Sequence, residues 1–88
     1  MDKMVDHACD EETQEAIRKC ILQNKEVQGI DLLRTRVFGN KIYVDLEIQV
    51  DGTYSLRKAH GIAEEVHDAI ENNFDKVKHI MIHVNPAE

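Results

Sequence analysis

From Lys41 to Asp51 apolar and polar residues alternate without a fault. Ile42, Val44, Leu46, Ile48 and Val50 interleave with Lys41, Tyr43, Asp45, Glu47, Gln49 and Asp51. A period of two puts five apolar side chains on one face of a strand and a polar row on the other. Gly39-Asn40 stands just before this run and just after a second element, roughly Ile30 to Phe38. That dipeptide between two apolar runs predicts a two-residue hairpin turn. The resulting register sets Val37 opposite Ile42, Thr35 opposite Val44 and Leu33 opposite Leu46 on a core face. On the other face it sets Arg36 opposite Tyr43 and Arg34 opposite Asp45.

Helical spacing brackets the hairpin. Ala16, Ile17, Cys20 and Ile21 fall on one stripe, Asp10 can cap it, and Glu11 and Glu12 suit its positive end. Cys20, as a member of that stripe, reads as a buried structural thiol. A second helix, capped by Thr53 or Ser55, runs to about Asn73 and buries Ala59, Ala63, Val66 and Ile70, widened by Ile62 and Ala69. Gly61 inside it costs about 1 kcal/mol relative to Ala, so a close-packed position is expected there. A last strand from Lys78 to Val84 turns Ile80, Ile82 and Val84 one way and His79, Met81 and His83 the other, and Pro86 is expected to stop it.

The order helix, strand, strand, helix, strand predicts an α+β sandwich, αββαβ, with both helices on one face of a three-stranded sheet. The other face then carries Tyr43, Asp45, His79, Met81 and His83, with Leu32 and Phe38. So mixed an uncovered face suggests a partner, most simply a second copy.

Composition narrows the function. The 88 residues make one domain with a modest core, and small domains often add a metal, a disulfide or a partner chain. A net charge of -6 argues against nucleic acid. No apolar run exceeds three residues, so this segment holds no membrane span. The two cysteines, Cys9 and Cys20, are too far apart for a CxxC motif and read as reduced thiols. No nucleophile, base and orienter set is visible, and there is no phosphate loop or H-E-x-x-H, so no enzyme is expected. Five histidines beside seventeen carboxylates are, however, an inventory of metal ligands.

Those ligands fall in several places. His60, Glu64, His67 and Glu71 form a polar stripe on the second helix, which is either a solvated face or a source of His–Glu pairs. His60 and His67 stand roughly 10 Å apart along the axis, and His79 and His83 roughly 13 Å apart along their strand. Neither pair can hold one ion. Asp45 either pairs with Arg34 across the hairpin or serves as a ligand. His7 with Cys9 is a further pair, or simply tail.

Several segments together resemble one family. LRTR (Leu33 to Arg36), YVDLEIQVD (Tyr43 to Asp51), S-L-x-x-A-H-x-I-A (Ser55 to Ala63) and IHVNP (Ile82 to Pro86) are similar to the C-terminal cytoplasmic domain of cation diffusion facilitator transporters. MVDHACDEE (Met4 to Glu12) looks like the linker after their last transmembrane helix, and Met1 then reads as an introduced start. The resemblance implies a linker or tail at residues 1–9 and a dimerising, metal-binding, metallochaperone-like (ferredoxin-like) domain at residues 10–86. It implies a place on the cytoplasmic side of the membrane, beneath a proton-coupled exporter of divalent cations. Zinc is the first expectation, with Fe2+, Mn2+, Co2+, Cd2+ and Ni2+ as alternatives. Metal between two such domains draws them together, and the physics is simple: a shared cation relieves the repulsion of acidic subunits.

Carried over residue by residue, the family's ligand positions fall on His60, Asp45 and His83, then on Asp31, with Asn85 where an acidic residue is usual. Asp45 is expected to share a cation with His83 and His60. Asp31 ranks last because the hairpin register sets it opposite Ile48, toward the core, unless a bulge or a later strand start re-aims it. His67 stays outside the set. Two rivals of other kinds are a free-standing metal carrier of the same fold and a small-molecule sensor using the open face.

Overall fold

The computed structural model describes residues 8–87, so His7, Met1 and most of the expected linker lie outside the described residues. The elements are α1 (Glu11–Leu22), β1 (Gly29–Phe38), β2 (Lys41–Asp51), α2 (Leu56–Asn73) and β3 (Val77–Ala87). Each helix starts as its sequence prescribes. The Asp10 carboxylate accepts a hydrogen bond from the Thr13 backbone N–H, and the Ser55 hydroxyl accepts one from Lys58 N–H.

β1 and β2 pair antiparallel in the expected register, from Val37 opposite Ile42 to Leu33 opposite Leu46. Gly39 takes φ 59° in the turn, a conformation that glycine adopts without a Cβ penalty. β3 lies parallel to β2, giving the order β1-β2-β3. Val44, Leu46, Ile48 and Val50 are buried against Ile17 and Ile21 of α1 and Ile62, Val66 and Ile70 of α2. Both helices therefore cover one face of the sheet and leave the other uncovered. Thr35 is a buried polar group on the core face: its hydroxyl donates to Gln14 Oε1 at 2.9 Å and accepts from Cys9 N–H at 3.1 Å. That relay fastens the start of α1 to β1.

Four expectations need correction. Pro86 does not stop β3, which continues to Ala87 with Pro86 facing Val50. β3 is an edge strand, and an edge accepts a proline on its outward side without losing a ladder bond. Gly61 is not packed closely, since an added Cβ there would meet nothing within 4 Å. Ala16 is exposed, so the buried stripe of α1 rests on Ile17 and Ile21. Cys20 is only partly buried; it packs against the core, and burial pushes its thiol pKa up. Among the described residues no helix is long and apolar enough to cross a membrane.

Candidate metal site

The uncovered sheet face is built from alternate residues of three strands, so register decides which side chains meet. β1 breaks register between Ile30 and Leu32: Ile30 faces Ile48 and Leu32 faces Glu47, leaving Asp31 as an extra residue. Such a bulge turns one residue out of the alternation. Asp31 therefore leaves the core side, where simple alternation had placed it, and becomes exposed. Its carboxylate accepts from Gln49 Nε2 at 2.6 Å and from Asn85 Nδ2 at 2.9 Å.

Asn85 reaches further. The same Nδ2 donates to Glu47 Oε1 at 3.1 Å, so one amide lies between the carboxylates of β1 and β2. An NH2 group has two hydrogens, one for each partner. β3 also sets His83 directly beside Glu47. One end of the face thus gathers two carboxylates, two side-chain amides and an imidazole, with the amide nitrogens offsetting the repulsion between the carboxylates.

Asp45 lies in the same polar row but has different neighbours. Its Oδ2 is 3.2 Å from Arg36 Nη2, and its β3 neighbour is Met81. The ion pair expected with Arg34, which does sit opposite Asp45, is made instead with Arg36. The pair is half-exposed and is worth under about 1 kcal/mol. At the far end Phe38, Tyr43 and His79 form an aromatic row, with ring centroids 5.3 and 5.6 Å apart.

His60 is not on this face. It projects from α2, where Nε2 lies 3.5 Å from Glu64 Oε2, and it borders a groove with Ala63, His67 and Ile82. Helix layer and open face are separated by the core, so within one chain Asp45 and His83 share a face that His60 does not. The sequence reading missed Glu47 and Gln49. Both were visible in the polar row, but a parallel crossover has no turn to fix its register, so nothing local tied them to His83 and Asn85.

The αββαβ sandwich with one bare sheet face is the metallochaperone-like class of small α+β domain. Residues 9–87 match the family described as cation efflux protein, cytoplasmic domain, and the chain belongs to that family. The chain is 30% identical over 86 residues to manganese efflux system protein MneP of Bacillus subtilis, covering 98% of this chain and 29% of that protein. It is 38% identical over 85 residues to metal tolerance protein C1 of Arabidopsis thaliana, covering 97% of this chain and 18% of that protein. A solved structure, a nickel form of a MamM CTD variant, superposes with a TM-score of 0.86 at 26% identity, covering 90% of this chain and 100% of that one. The chain thus spans less than a third of the curated relatives it resembles. The family is one of transporter domains, not enzymes.

Proposed function

We propose that this chain is the metal-sensing cytoplasmic domain of a divalent-cation efflux transporter, in which a cation held between two copies draws them together. Residues 10–86 are the working domain, and residues 1–9 lead toward the membrane part. The observation that carries the reading is the convergence of Asp31, Glu47 and Asn85 from three strands, beside His83, on a sheet face that no helix covers. Carboxylates crowded at a surface and held apart only by amide donors are the electrostatic counterpart of a cation.

Asp31 and His83, with Glu47 between them, are the donors of one copy, and Asp45 stands further along the same face as the donor of an adjoining position. His60 lies on the helix layer, so it joins them only by coming from a second copy or by serving another ion. Two or three donors per chain leave a four-coordinate site open, and a facing copy closes it. Zinc accepts this mixture of imidazole and carboxylate, and so do manganese, iron, cobalt, cadmium and nickel to degrees set by ligand number and geometry. The nickel form of the MamM CTD neighbour and the manganese efflux relative support a divalent ion without choosing one.

Isothermal titration of the chain with Zn2+ and Mn2+, run beside Asp31→Asn/His83→Ala, tests the assignment. The wild type binds, and the double variant binds fewer ions per chain. Equal binding in both removes these residues as ligands.

A further inference from the structure

The helix layer carries donors of its own. On α2, His67, Asp68 and Glu71 each offer one ligand atom, and the three atoms lie within 4.8 Å of one another. His67 Nδ1 is 3.6 Å from Asp68 Oδ1 and 3.9 Å from Glu71 Oε1. Two donors bound to one ion at about 2.0–2.2 Å stand at most about 4.4 Å apart. A small rotation of one exposed carboxylate closes the set.

The charge of the helix points to a cation independently. From Ala59 to Asp75 the chain has Glu64, Glu65, Asp68, Glu71 and Asp75 but no lysine or arginine. α2 has no basic residue in its last turn. Negative side chains therefore crowd the negative end of the helix dipole, where cations are favoured. Among the described residues the ionic partner of both Asp68 and Glu71 is His67. Access is open as well: a groove of about 410 Å³, bordered by His60, Glu64, His67 and Asp68, runs beside them.

We propose that His67, Asp68 and Glu71 form a second divalent-cation site, one imidazole and two carboxylates with the remaining positions taken by water. This donor set suits Zn2+, Co2+ and Ni2+. The site clamps the last two turns of α2, the segment that leads into β3. It belongs to the helix layer, fills within a single chain, and does not depend on the sheet-face reading.

The test starts from the chain carrying Asp31→Asn, Asp45→Asn, His60→Ala and His83→Ala, which removes the sheet donors and the other histidine of the groove. Titration with Zn2+ by calorimetry, and with Co2+ by its visible absorption, is expected to show one ion bound per chain. Adding His67→Ala, or separately Glu71→Gln, weakens that binding by at least the about 10–100-fold that losing even an outer-shell partner costs. Circular dichroism checks the fold, and alanine at the half-exposed position 67 favours helix. No binding to the starting variant, or binding untouched by His67→Ala, overturns the proposal.

Discussion

Asn85 Nδ2 stands 2.9 Å from Asp31 Oδ2, a contact across the sheet that exists only because a bulge turns Asp31 onto the open face. The same nitrogen serves Glu47, so the amide occupies the ground between two carboxylates. Asn85→Asp replaces that donor with a third negative charge. Two hydrogen bonds are lost and three carboxylates crowd together, at a cost of about 1–2 kcal/mol. In a domain of this size each kcal/mol lowers Tm by about 4–8 °C. The variant is expected to melt earlier than wild type without metal and to recover most of the difference with excess Zn2+. Thermal melts with and without the ion check this; a variant that melts like wild type and ignores zinc contradicts it.

Arg36 competes with any cation for Asp45, since its guanidinium already sits on that carboxylate. Arg36→Met changes stability by under about 1 kcal/mol, the usual worth of a half-exposed pair. It is expected to tighten metal binding, read by calorimetry as a lower Kd. An unchanged Kd would take Asp45 out of the ligand set.

Thr35 is the polar member of an otherwise apolar face, and its hydroxyl serves both Gln14 and Cys9. Thr35→Val keeps the shape but strands a backbone N–H and an amide oxygen. The expected loss is about 1–3 kcal/mol in urea unfolding. A larger loss of about 2–5 kcal/mol is expected for Leu46→Ala, which opens a cavity at a fully buried position.

Asp10 gives a pH signature. The hydrogen bonds from Thr13 hold its carboxyl below the usual aspartate value of about 3.9. A depressed folded pKa contributes stability that is fully present above the usual value and is lost as pH falls through the folded one. The Tm difference between wild type and Asp10→Ala is therefore expected to be steady at neutral pH and to shrink below about pH 4. A difference that stays constant down to pH 2 contradicts the role of the charged cap.

Much of this architecture was legible in the chain because its signals are local. Gly39-Asn40 and the clean alternation of β2 fixed the hairpin register down to the pairing of Arg34 with Asp45. Asp10 and Ser55 announced their helices in the same way. Asp31 was legible as a candidate only through the family resemblance, and its turn onto the open face only as one of two alternatives, because a bulge adds one residue to a strand without any side chain that marks it. The meeting of Glu47 with Asn85 was not legible, because helix α2 intervenes between their strands and no turn ties the two in register. The partner of Asp45 shifted from Arg34 to Arg36 since a long guanidinium reaches diagonally, which residue pairing alone does not express.

The proposed closure of two copies around a divalent ion on the open sheet face changes the size of the particle in solution. Small-angle X-ray scattering during a Zn2+ titration of the chain, with Asp31→Asn/Asp45→Asn/His83→Ala in parallel, reads size and closure directly. The wild type is expected to give a more compact dimer as zinc is added, while the triple variant keeps one scattering curve throughout. Matching curves for the two proteins at every zinc concentration would contradict the proposed closure.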